Sequence, residues 1–130
     1  MKKIEIEKPA EFLKLIEENK DKYLYNDHPS DGIDLFTDEI IEQYGWHGIT
    51  FDEITYRDIA QFIEDNCDGE FIYNDHPMGF NAYAIVYDME KAREQIKEYI
   101  VNKIKSLPLS DMDLDDDQIE ALEFFGIRYN

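Results

Sequence analysis

Two spacings of apolar residues alternate along the chain. Tyr56, Ile59, Ala60, Ile63 and Cys67 recur at i, i+3, i+4, i+7 and i+11, the signature of one buried helix face. Thr55 precedes them and Asp58 follows three residues later, a capping box with Asp in the place usually taken by Glu. Met89, Ala92, Ile96, Tyr99, Ile100, Ile104 and Leu107 form a longer stripe that Asp88 opens as a cap and Pro108 closes. Between these helices, EFIYN turns through DHPMG into FNAYAIVYD, which predicts a hairpin with a largely buried return strand. Pro9 opens an earlier helix with Phe12, Leu13 and Ile16 on one side. TDEIIEQYG reads as a cap and a second amphipathic helix, and DQIEALEFFG as a short last helix whose leading acids suit the positive end of its dipole. WHGITFDEI and the final GIRYN each predict a further strand.

The same word, Tyr-Asn-Asp-His-Pro, stands at Tyr25–Pro29 and again at Tyr73–Pro77. With one residue inserted in the second copy, Ile16, Glu17, Asn19 and Asp21 also match Ile63, Glu64, Asn66 and Asp68. The chain therefore reads as two degenerate helix-strand-turn-strand-helix units, about 9–45 and 55–105, followed by an acidic linker and C-terminal helix over 106–130. The expected fold is a single α+β domain, residues 1–130, with a mostly antiparallel sheet packed against helices.

Composition supports a real core, since 43% of the 130 residues are hydrophobic and 14% aromatic. No apolar run approaches the roughly 18 residues of a membrane span, and MKKIEIEK passes into charged residues where a secretory signal needs an apolar stretch. The expected location is the cytoplasm. Cys67 is the only cysteine, which excludes an internal disulfide or a thiolate zinc cluster.

The repeated word offers two readings. As chemistry, His28 and His76 with Asp27 and Asp75, and His47 as a further ligand, form a candidate metal site for a hydrolase. As structure, Asn, Asp and Pro are turn formers, and adjacent Asp-His pairs lack the i, i+4 spacing that puts two ligands on one helix face. The turn reading explains more of the letters. Asp111, Asp113, Asp115 and Asp117 begin like a calcium loop, but Asp116 stands where the loop needs Gly and Leu122 where it needs a bidentate Glu. Cys67 falls on an apolar helix face and reads as a core thiol. With no nucleophile elbow, phosphate loop or zinc-protease motif, the chain reads as a non-enzyme without cofactor or metal.

Charge says more. The formal net charge is -18, from 13 basic and 31 acidic residues, well beyond what solubility requires. Residues 1–22 are neutral, 23–88 carry -14 with Arg57 as their only base, 89–105 carry +2 and 106–130 carry -6. The bases of 89–105 alternate with Glu90, Glu94 and Glu98, an ordinary solvated face. The candidate partner-binding residues are Asp31, Asp34, Asp38, Glu39, Glu42, Asp52, Glu53, Asp58, Glu64, Asp65 and Asp68. Carboxylates on one helix face lie roughly 5–6 Å apart, close to the spacing of phosphates along a strand. In size, acidity and segregated charge the chain resembles the small acidic anti-defence inhibitors of bacteriophages, of the antirestriction and anti-CRISPR kind. That resemblance implies a monomeric or homodimeric protein in the bacterial host's cytoplasm. Its partner is expected to be a basic nucleic-acid-binding protein or complex, with no direct contact to nucleic acid or membrane. Immunity proteins and antitoxins that cover basic toxin nucleases share this profile and give the alternative reading.

Overall fold

The fold, obtained as a computed structural model, describes residues 1–28, 32–35, 37–76 and 79–129. Its elements run β1 (Lys2–Glu5), α1 (Pro9–Glu18), β2 (Tyr23–His28), β3 (Gly32–Leu35), α2 (Glu39–Gly48), α3 (Tyr56–Asn66), β4 (Gly69–His76), β5 (Gly79–Val86), α4 (Met89–Lys105), a 3-10 turn (Leu109–Asp111) and α5 (Asp116–Phe125). The strands form one sheet in the order β1-β4-β5-β2-β3. The hairpins β2/β3 and β4/β5 and the central pair β2/β5 are antiparallel, whereas β1 joins the edge parallel to β4. The fold is α+β with a mostly antiparallel sheet, as expected, made mixed by one parallel pair, β1/β4, whose edge strand the helix and hairpin signals did not include.

Pleating divides the side chains of β5 between two cores. Ala82, Ala84 and Val86 face the larger core, and Tyr83 and Ile85 the smaller one. Ala84 stands between Tyr25 of β2 and Phe71 of β4 in the register. The two rings meet across it with centroids 6.4 Å apart, so a small residue in the central strand lets large ones close over it. A bulge between Tyr23 and Tyr25 turns both Leu24 and Tyr25 into this core.

The larger core is closed by helices. Ile41 of α2, Ile59, Ala60 and Ile63 of α3, Ala92, Ile96, Ile100 and Ile104 of α4, and Ala121 and Leu122 of α5 are all buried in it. The caps read from the sequence are present: Thr55 and Asp58 exchange bonds at 3.1 and 3.0 Å, and Asp88 accepts from the Lys91 amide at 3.1 Å. Asp115 and Gln118 form a second capping box, and Gly126 ends α5 with φ +68°, a conformation L side chains rarely adopt. On the opposite face α1 packs alone, with Phe12 against Ile72 and Ile85.

Two strand expectations are corrected. Trp46–Gly48 finish α2, and the turns after it send Phe51 and Ile54 into the core as plugs. Residues 126–129 pair with no strand among the described residues. Ile127 instead buries its side chain and bonds back to Leu122 at 2.8 Å. The segment read as a linker holds the 3-10 turn, with Leu109 buried and Met112 and Leu114 packed on the core. The two units share the order helix, strand, strand, helix, but α1 and α3 lie on opposite faces of the sheet.

Gly69 tests the close approach at the start of β4, because a Cβ there would sit 2.0 Å from the Ile85 carbonyl oxygen. Since backbone cannot yield cheaply, Gly69→Ala is expected to cost about 3 kcal/mol in urea unfolding. At Gly48 the obstacle is the Ile100 side chain at 3.1 Å. Gly48→Ala should change stability by less than about 1 kcal/mol.

Candidate acidic docking face

The sheet separates the chain's acids into two kinds. On the α1 side they have neighbouring lysines: Lys8–Glu11 and Lys14–Glu18 at 3.9 Å and Lys20–Glu17 at 3.2 Å, all local pairs. On the helix-layer side, residues 39–66 hold seven acids and one base, Arg57, which reaches over to Asp27 at 3.1 Å. Glu39, Glu42, Asp52, Glu53, Asp58 and Asp65 are exposed there, and no Lys or Arg pairs with them among the described residues. Asp58 serves the α3 capping box and Asp65 accepts from Gln61 at 3.0 Å, so both are held on the outer side of α3.

Five of the residues picked from the sequence do not join this set. Asp31 lies outside the described residues. Asp34 sits opposite Asn26 in the β2/β3 register, on the sheet face away from the helix layer, where its charge acts on Tyr83. Asp38 is the α2 N-cap, accepting from the Ile40 and Ile41 amides, and it is paired with Arg93 of α4. Glu64 turns toward Tyr25, whose hydroxyl is pushed far up by burial and then by the Glu64 charge. Asp68 is paired with Lys91 at 3.4 Å. Asp38, Glu64 and Asp68 are each engaged by a group distant in sequence.

The structure adds an acidic wall that the sequence reading assigned to the tail. α5 packs on α2 through Tyr44, His47, Phe124 and Phe125, with the His47 and Phe124 rings stacked at 4.2 Å. Gln118 donates to the Thr50 carbonyl at 3.1 Å and ties the start of α5 to the loop after α2. Asp115 and Asp117 are thereby brought beside Trp46, Ile49 and Thr50, next along the chain to Asp52 and Glu53. A second depression, about 510 Å³, runs between α3 and α4 over the stacked Phe62 and Tyr99 rings, 4.4 Å apart, with Asn66, Gln95 and Asn102 on its sides.

The repeated words are strand from their tyrosines to their histidines, Tyr25–His28 in β2 and Tyr73–His76 in β4. The turn reading for Pro29 and Pro77 and the residues just after them falls on 29–31 and 77–78, which lie outside the described residues. Asn26 and Asn74 are buried at 5% and 8% exposure. Asn26 Nδ2 donates to Asn81 Oδ1 at 3.1 Å, and Asn74 Nδ2 to the Ile6 carbonyl at 2.7 Å, tying β2 to β5 and β4 to the β1 exit. Among the described residues no group of three or more His, Cys, Asp or Glu is placed to hold a metal. His47 belongs to the α2/α5 contact, apart from the words. Burial pushes the Cys67 thiol up to about 11, which keeps it protonated near neutral pH.

No family model matches the chain, and no curated protein or solved structure matches it. No helix among the described residues is long and apolar enough to cross a membrane.

Asp38 offers a measurable check on the α2/α4 joint. Burial acts to raise its carboxyl, but the Arg93 guanidinium and the α2 amides outweigh that and hold it below the ordinary 3.8. Asp38→Ala removes cap and ion pair together and is expected to cost about 1–2 kcal/mol, with Asp38→Asn costing less because an acceptor remains. A depressed carboxyl stabilises fully above its unfolded value. The gap between wild type and Asp38→Ala in thermal melts should stay constant from about pH 8 to 5. It should then narrow as pH falls below 3.8 through the lower folded value.

Proposed function

We propose that the protein is an acidic inhibitor that occupies the nucleic-acid-binding surface of a basic partner, a nuclease or CRISPR effector of a bacterial defence system. The observation that carries this reading is the exposed set Glu39, Glu42, Asp52, Glu53, Asp58 and Asp65, unpaired with any cation among the described residues, on the face opposite the lysine-bearing α1. Enzymes that grip DNA or RNA draw much of their affinity from Lys and Arg that release counterions from phosphate. Fixed carboxylates on helices present those groups with a competing anion whose geometry costs little to organise. The cell compartment proposed is the bacterial cytoplasm, where such targets work. The shared words and shared element order of the two units are read as a duplication of one ancestral helix-strand-strand-helix piece.

One observation favours the related reading of an immunity protein against a toxin nuclease. Trp46 and Ile40 of α2 and Phe124 of α5 are exposed, an apolar supplement that a partner of fixed shape would use.

The test is displacement of labelled DNA or RNA from a panel of restriction nucleases, CRISPR effectors and toxin nucleases by the full chain. Displacement is expected from at least one, weakening at least about tenfold between about 50 and 200 mM salt. The variant Glu39→Gln/Glu42→Gln/Asp52→Asn/Glu53→Gln should lose at least about tenfold in potency. The α1 control Glu11→Gln/Glu17→Gln/Glu18→Gln should retain it. Equal loss in both variants, or no displacement across the panel, contradicts the reading.

A further inference from the structure

Trp46, the chain's single tryptophan, stands 56% exposed on the last turns of α2. A bare indole is a large apolar surface left in water. It forms one wall of a notch of about 160 Å³ whose other walls are Ile49, Thr50, Asp115 and Asp117. The walls come from two elements and are held in register by the Gln118 to Thr50 bond at 3.1 Å. Asp115 gives one oxygen to the Gln118 amide at 2.8 Å. The Asp117 side chain is exposed and has no hydrogen bond or ion pair among the described residues.

These surfaces correspond to the parts of one side chain. An indole face attracts a planar cation, a carboxylate takes the parallel N–H groups of a guanidinium, and an aliphatic residue covers the methylene stem. We propose that the notch receives an arginine of the basic partner, stacked on Trp46 and bonded to Asp117, with its stem along Ile49. The proposal rests on the acidic face being a docking surface for a basic protein and adds which residue type is read there. Lysine fits less well, because its ammonium is compact, strongly hydrated and unable to stack. The positive end of the α5 dipole is worth about half a charge and opposes any cation, but Asp115, Asp116 and Asp117 more than offset it.

Because no other tryptophan is present, Trp46 emission reports the notch directly. The full chain is titrated with hexa-arginine and hexa-lysine peptides of equal charge at low salt. Hexa-arginine is expected to change Trp46 emission and to bind about two- to fivefold tighter than hexa-lysine. Asp117→Asn should abolish that preference, while the α1 variant Glu11→Gln keeps it. Trp46→Leu, followed by calorimetry with circular dichroism confirming the fold, should make the two peptides equivalent. Equal binding of both peptides to the wild-type chain overturns the notch and leaves the acidic face standing. Binding of neither overturns both. A preference that survives Asp117→Asn and Trp46→Leu also overturns the notch, by placing arginine recognition elsewhere.

Discussion

Parallel strands cannot be joined by a tight turn, and that constraint shapes the whole molecule. β1 and β4 are parallel, and β2 lies two antiparallel steps from β4, so β1 and β2 also run the same way. The segment between β1 and β2 must cross the sheet, and α1 makes that crossing on one face. β2/β3 and β4/β5 are hairpins, α2 and α3 connect them, and α4 and α5 follow, so these four helices cover the other face. Small residues in the central strand complete the arrangement, with Ala82 and Ala84 wholly buried under the helix layer.

This asymmetry converts a segregation along the chain into a segregation in space. The neutral first segment becomes the β1 and α1 side, where lysines pair with glutamates three or four residues away. The acidic middle becomes the outer surface of α2 and α3, and the acidic tail returns beside it because α5 docks on α2. The bases of α4 are partly consumed within the layer, Arg93 at Asp38 and Lys91 at Asp68. What is left is a set of exposed carboxylates on α2, α3 and the turns between them, with the exposed Trp46 indole on the same helix layer.

Local signals were legible from sequence and distant ones were not. The caps at Thr55 and Asp88 depend on residues three positions apart, and the spacing of Ile59, Ile63, Ile96, Ile100 and Ile104 marks helix faces directly. β1 escaped because it has four residues and gains its strand character from Glu70–Tyr73, far along the chain. Gly48 fell in the stretch read as a strand, yet it ends α2, buried against Ile100. Asn26 and Asn74 resembled turn residues because their use depends on Asn81 and the Ile6 carbonyl, which no local pattern reveals. Among the acids, exposure on α2 and α3 followed from helical phase, whereas Asp38 and Asp68 were claimed by Arg93 and Lys91, 55 and 23 residues away. The exposure of Trp46 and its α5 wall had no sequence signal, since both arise from the packing of two helices.

The electrostatic claim is open to direct observation by NMR, comparing the relaxation of backbone amides by cationic and by anionic nitroxide probes of the same size. The account predicts that the cationic probe is enriched over the anionic one along residues 39–66 and 111–123, with no such excess along α1. A uniform ratio across the surface, or an excess on α1 equal to that on α2 and α3, contradicts it.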